Sequence, residues 1–387
     1  MDIAFITSFY NRNCEGRLGR FHDWIHTLRE MDSTPFEFNV HTFTQSSPDK
    51  TLYSTPKELF GDGDDLWSTR KSKLEFIANF KRMAEDIGNQ DPDVLHFIQI
   101  NFASLLLLKR IDFDGRVIFG PNIGGWFPNR VDKLWLKDTK QELKHKLKYQ
   151  IRKQYLKATS DHQFVAFSHY HADMLECTGL SKENITVLKP GVHSIFSPNQ
   201  GTQTILSEIE RKSREKETLK LLYVGPKTEY KGYNVFLRAL EKVDNVEAKV
   251  IGGGNPQLDL IRSLDLEDRV DIQGFVPREL LPQEYNSADV VVIPTIDETA
   301  GPNIQIEALA CGTPVVLTDV PGMNEYAESD SVVYFPTREP EAIANAIEQA
   351  AQNIVQLTES ALDNVHRYNA KVTIEQLASL YREINSQ

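Results

Sequence analysis

Four side chains in the second half of this sequence have types and spacing that could do chemistry together: Lys227, Lys231, Asn303 and Glu307. The two lysines follow a glycine turn, Val224-Gly225-Pro226, and precede an apolar run, Val235 to Leu240, that reads as a helix. A helix start offers free backbone N–H groups and the positive end of its dipole. Two ammonium groups added there make a clamp for a diphosphate. Asn303 and Glu307 are four apart and share one face of a helix. A carboxylate at Glu307 is suited to two vicinal hydroxyls, as on a ribose. Ala300 and Gly301 are small enough to let a ligand reach the backbone ahead of that helix.

The elements that must position these groups can be read locally. Val290 to Ile293 is β-branched and unbroken, the mark of a strand buried on both faces. Pro294 ends it, and Pro302 suits the first helical position. Gly312 supplies the left-handed residue at the helix end, Pro314 blocks continuation, and Val315 to Thr318 is the next strand. The helix should turn Ile304, Ala308 and Leu309 to the sheet and Asn303 and Glu307 to a ligand. The chain opens in the same way, with a strand Ile3 to Thr7, a glycine loop and a helix through Trp24, Ile25 and Leu28. In that loop Arg17 and Arg20 either offer cations to an anionic group or are solvated. Further strands are expected at Phe36 to Thr42, at Asp93 to Phe97 with His96 near its end, from Arg116, and from Phe164, where Ser168 caps the next helix.

Length and composition bound the rest. With 387 residues the chain should hold two domains, or three. The expected division is a first domain at 1–198, a polar linker at 199–217, a second domain at 218–372 and a last helix at 373–387 that returns to the first domain. A net charge of −12 argues against a general nucleic-acid binder. Cys14, Cys177 and Cys311 are widely spaced and odd in number, which fits a reducing compartment. The first residues lack the charged start and apolar core of a secretory signal. No apolar run approaches the roughly 20 residues a membrane span needs. The acidic loop Gly61 to Asp65 lacks flanking ligands and reads as solvated, so no metal is expected. Residues 133–157 carry nine Lys or Arg against Asp138 and Glu142, with Leu143, Leu147, Ile151 and Tyr155 at intervals of four. That pattern fits an amphipathic helix on an anionic membrane surface, or a solvated face over a core stripe.

The run 289–318 resembles the Glu-x7-Glu region of the retaining, two-domain GT-B glycosyltransferases, the group 1 or GT4 family. Val224-Gly225 to Lys231-Gly232 is similar to that family's Gly-Arg…Lys-Gly stretch, with Pro226 in place of the arginine. The resemblance covers nearly the whole chain and is strongest from 218 to 335. It implies two doubly wound, Rossmann-like α/β domains and transfer of a hexose from a UDP-, GDP- or ADP-sugar to a hydroxyl acceptor. No cofactor is implied. Glu307 then holds the ribose and Lys231 the diphosphate, with Lys227 standing in for the missing arginine. Thr299 occupies the place of the first glutamate, which contacts the hexose in relatives. Ala300, Gly301, Pro302 and Asn303 form the donor loop and helix start. Gly253 lies in a turn that lines the nucleotide site, and Gly16 and Arg17 take the places of a Gly-Gly pair. Asn122 is the nearest polar residue to a histidine that touches the donor sugar in relatives. Relatives are cytoplasmic, often peripheral on the membrane. The departures at Thr299, Arg17 and Pro226 and the missing histidine fit a catalytically impaired scaffold or partner subunit as one alternative, and another reaction on the same fold, such as a nucleotide-sugar epimerase or hydrolase, is the other.

Overall fold

The computed structural model describes residues 1–9, 19–44, 52–54, 80–81, 83–99, 102–111, 113–122, 153–154, 156–295, 303–327, 329–336 and 339–386. The chain divides into two compact units, one of Met1–Pro128, Leu136–Lys189 and Thr373–Gln387, the other of Asn129–Trp135 and Pro190–Val372.

In the first unit the described residues form β1 (Asp2–Phe9), α1 (Gly19–Glu30), β2 (Glu37–Thr44), β3 (Leu52–Ser54), β4 (Val94–Gln99), α2 (Phe102–Leu108), β5 (Arg116–Asn122), β6 (Gln163–Ala166), α3 (His169–Glu176) and β7 (Ile185–Val187). Their sheet is parallel, in the order β3-β2-β1-β4-β5-β6-β7. The runs Ile3 to Ile6, Val94 to Phe97, Val117 to Phe119 and Phe164 to Ala166 are buried residue after residue, so both faces of β1, β4, β5 and β6 are covered. Ser168 caps α3 as expected, its hydroxyl accepting from the His171 amide.

The second unit contains α4 (Thr202–Glu215), β8 (Leu219–Val224), α5 (Tyr233–Leu240), β9 (Val246–Ile251), α6 (Leu258–Ser263), β10 (Val270–Ile272), α7 (Leu281–Ser287), β11 (Val290–Ile293), α8 (Asn303–Ala310), β12 (Val315–Thr318), β13 (Val332–Phe335), α9 (Pro340–Gln352) and α10 (Ile354–Asn364). Its sheet is also parallel, in the order β10-β9-β8-β11-β12-β13. The winding reverses between β8 and β11, and in such sheets that reversal is where ligands bind, at the carboxyl ends of the strands. The last helix, α11 (Ala370–Asn385), begins in this unit and joins the first from Thr373 on.

Three expectations need correction. The stretch 199–217 is not a linker, since most of it is α4. Its polar composition hides an apolar stripe, Ile205 and Ile209, against the core of the second unit, and the Lys212 ammonium meets Asp289 at 2.9 Å. Residues 190–198 likewise fall in the second unit and not the first. The face of α8 expected to turn Asn303 and Glu307 to a ligand is not open at Glu307, because Gln305 to Ala310 are buried; it is Ile304 and Gln305 that line a pocket. The helix end is as expected: Gly312 is left-handed, and a Cβ there would lie 2.4 Å from Leu362. Among the described residues no helix is long and apolar enough to cross a membrane.

Candidate functional site

Val290 of β11 pairs with Leu221 of β8, so the two strands end side by side at the reversal point. A pocket lies there, lined by Tyr223, Lys231, Pro294, Thr295, Gln305 and Met323 among others. Lys231 is fixed by the residue after it. Gly232 has φ of 74° and caps α5, and a Cβ at that position would lie 2.0 Å from the Pro294 carbonyl oxygen. Only glycine lets the start of α5 press this closely on the end of β11. The Lys231 ammonium stands 5.3 Å from the centre of the Tyr230 ring, within cation–π range. Beneath it, buried Tyr223 donates its hydroxyl to the Pro226 carbonyl at 2.9 Å.

Lys227 is placed differently. It is 5% exposed, and its ammonium donates to the carbonyls of Gly252 and, at 3.0 Å, Gln273, beyond the ends of β9 and β10. Burial lowers its pKa. Its backbone amide donates to the Gly253 carbonyl at 2.7 Å, and Lys227 and Gly254 form a parallel bridge. Lys227 thus ties the two glycine turns, 225–232 and 252–254, into one platform. Gly253 stands on that platform with open space where a Cβ would go.

Glu307 is 3% exposed, and both its carboxylate oxygens are engaged. The Arg278 guanidinium donates to Oε1 at 2.5 Å and the Tyr285 hydroxyl to Oε2 at 2.7 Å. Burial, then the Glu307 charge, push the Tyr285 hydroxyl well above its ordinary pKa, so it remains a donor. Arg278 stacks on Phe196 with its guanidinium carbon 4.7 Å from the ring centre. Nearby Cys311 is held as a thiol by burial and is no nucleophile.

The structure therefore brings Lys231 together with the first turn of α8, while Lys227 and Glu307 are held by protein partners. Asn303 opens α8 and is half-buried. Gly16, Arg17, Thr299, Ala300, Gly301 and Pro302 lie outside the described residues, as do the Asn122 side chain and the basic stretch apart from residues of its last turn. In the first unit the backbone of Asn122 ends β5, two residues after Gly120. His96 is fully buried and its Nε2 meets the Gly120 carbonyl at 2.8 Å. A carbonyl only accepts, so Nε2 carries the proton and Nδ1 accepts from the Tyr381 hydroxyl at 2.6 Å. His96 is thus a satisfied structural histidine that fixes the strand leading to Asn122. Gln305, Arg278 and Tyr285 escaped the sequence reading. Gln305 had a signal, as a lone amide between Ile304 and Ile306, whereas nothing local pointed to Arg278.

Residues 198–353 match the model of a known family, the glycosyl transferases group 1. Those residues are a group 1 glycosyltransferase domain. The domain takes in β8 to β13 and the Lys231 pocket. An uncharacterised glycosyltransferase of Methanocaldococcus jannaschii is 34% identical over 137 residues, 33% of this chain and 35% of that protein. A D-inositol 3-phosphate glycosyltransferase of Corynebacterium diphtheriae is 28% identical over 228 residues, 54% of this chain and 53% of that one. The chain therefore spans about a third to a half of the length of these curated relatives. The solved structure of HepE from Anabaena, in complex with UDP, superimposes with a TM-score of 0.71 over 99% of this chain and 100% of that one, at 15% identity. The glycosyltransferase domain thus sits in a chain of GT-B fold.

Proposed function

We propose that this protein transfers a hexose from a nucleotide sugar to a hydroxyl acceptor, with retention at the anomeric carbon. The observation that carries the reading is the position of Lys231, which lines a pocket at the carboxyl ends of β8 and β11, where the winding of the second sheet reverses. An ammonium there offsets the charge that grows on a departing diphosphate. The leaving phosphate oxygen accepts the acceptor's proton as the new glycosidic bond forms on the same face, so no protein nucleophile is required. HepE, which shares the fold, has also been solved with UDP-glucose, and a UDP-sugar is the first donor to test. Asn122, Thr299 and the loop 300–303 are proposed to face the sugar, and Gly16 and Arg17 the diphosphate. The basic stretch 133–157 is proposed to bring the protein to an anionic cytoplasmic membrane surface, each cation adding about 1 kcal/mol.

A second reading, a partner subunit that has lost transfer, is favoured by Glu307, whose two oxygens are already taken by Arg278 and Tyr285. One experiment separates the two. The protein is incubated with UDP-, GDP- and ADP-hexoses, with and without a panel of hydroxyl acceptors, and free nucleoside diphosphate is measured. Acceptor-dependent release supports transfer. Binding of a nucleotide sugar with no release under any acceptor supports the partner subunit. Release of free sugar without acceptor would point to a hydrolase.

A further inference from the structure

Gln305 sits in the first turns of α8 and lines the pocket that also contains Lys231. It is 0% exposed, and neither Nε2 nor Oε1 has a hydrogen-bond partner among the described residues. A buried amide without partners destabilises the chain that carries it. Such a group is kept where something else completes its bonds.

The chemistry of the amide selects that ligand. A phosphate oxygen only accepts, so it would satisfy Nε2 and leave Oε1 unpaired. An apolar group would satisfy neither. Adjacent hydroxyls of a sugar ring satisfy both, one accepting from Nε2 while its neighbour donates to Oε1. The Lys231 ammonium in the same pocket has only donors, which match phosphate. The two residues thus divide a phosphorylated sugar between them.

We infer that Gln305 reads a pair of neighbouring sugar hydroxyls on the donor, next to the phosphate held by Lys231. This inference rests on the proposed nucleotide-sugar reading and adds to it a residue that sets specificity. The hydroxyls belong to the transferred hexose or to the ribose, and the experiment tells these apart.

Gln305→Leu and Gln305→Met are made in the full chain, two shapes so that one misfit side chain does not decide the result. Affinities for UDP-, GDP- and ADP-glucose are measured by titration calorimetry against the matching free diphosphates, with Tm recorded for each ligand-free protein. The expected result is a loss of about 10- to 100-fold in affinity for the nucleotide sugar in both variants, as for a lost pair of buried hydrogen bonds, with Tm unchanged or higher. Unchanged affinity for the free diphosphate assigns the hexose, and a parallel loss assigns the ribose. Wild type that binds a nucleotide sugar while both variants bind it equally well overturns the inference alone. So does a Tm several degrees lower in both variants, since the amide would then have a structural partner. Wild type that binds no nucleotide sugar overturns the functional reading, and this inference with it.

Discussion

At the scale of single residues the two ends of α8 differ in what they hold. Lys231, against its first turn, lines the pocket beside the Tyr230 ring, and on the proposed reading it acts on the transition state. Lys231→Ala should lower turnover by roughly 100-fold, as loss of one charge-stabilising donor does, with little change in Tm. Steady-state release of nucleoside diphosphate measures the first and a thermal melt the second, and near-normal turnover would remove Lys231 from the phosphate. Glu307 is the opposite case. Its removal leaves the Arg278 guanidinium, 19% exposed, without its carboxylate, and the Tyr285 hydroxyl without an acceptor. Breaking such a pair costs on the order of 3 kcal/mol. Urea unfolding of Glu307→Ala should show that loss, while Glu307→Gln, which still accepts from Tyr285, should lose less. If Glu307 also holds the ribose, both variants bind donor more weakly even at temperatures where both remain folded. Equal donor affinity in wild type and variants would leave Glu307 with the structural role only.

At the scale of elements, the site depends on how closely strands and helix starts approach. Gly232→Ala would put a methyl group 2.0 Å from the Pro294 carbonyl at a left-handed φ of 74°. Backbone must move on both sides, so the cost should exceed the roughly 1 kcal/mol of an ordinary glycine replacement, and Lys231 moves with it. Stability and turnover should both fall; a normal melting curve with normal turnover would show that the α5–β11 approach matters little. What the sequence revealed follows the same division. The unit β11–α8–β12 was legible because its signals are local: Val290 to Ile293, then the stop at Gly312 and Pro314. The partners of Glu307 were not, since Tyr285 and Arg278 lie 22 and 29 residues before it and meet it only through packing. Lys227 read as a phosphate ligand because spacing cannot show that the Gly252 and Gln273 carbonyls would capture it. Helix α4 read as a linker because two isoleucines among charges give a weak stripe. Strand β4 adds a pH dependence. Burial lowers His96 from its ordinary 6.5 to about 4, the Gly120 carbonyl only partly opposing this, and burial does the same to His41. Between those pH values the unfolded chain binds protons that the folded chain refuses. Stability from these sites is therefore complete above pH 6.5 and is lost as pH falls toward 4, by about 1.4 kcal/mol per pH unit per site. In urea titrations across that range, His96→Gln should show a slope shallower by one proton, and an unchanged slope would mean His96 titrates normally.

At the scale of the whole molecule, the last residues of the chain complete the first unit. Ile374, Leu377, Ala378, Leu380 and Tyr381 of α11 are buried. Tyr381 meets Phe36 edge-on at 5.1 Å between ring centres and donates to His96. Thr373 and Gln376 bond the backbone of Lys189, where the chain leaves that unit. The first unit therefore closes only after the second has been made. Truncation after Val372 should leave β8 to β13 intact, because their core draws on residues 205–357. It should open the first unit around Phe36 and His96, where a buried aromatic is lost, and such a loss costs about 3–5 kcal/mol. Hydrogen exchange read by mass spectrometry tests this directly. Protection should drop in peptides from β1 and β4 and stay at wild-type level in peptides from β8 and β11. If α11 instead served both units equally, protection would fall in all four strands together. If it were a passive tail, none would change.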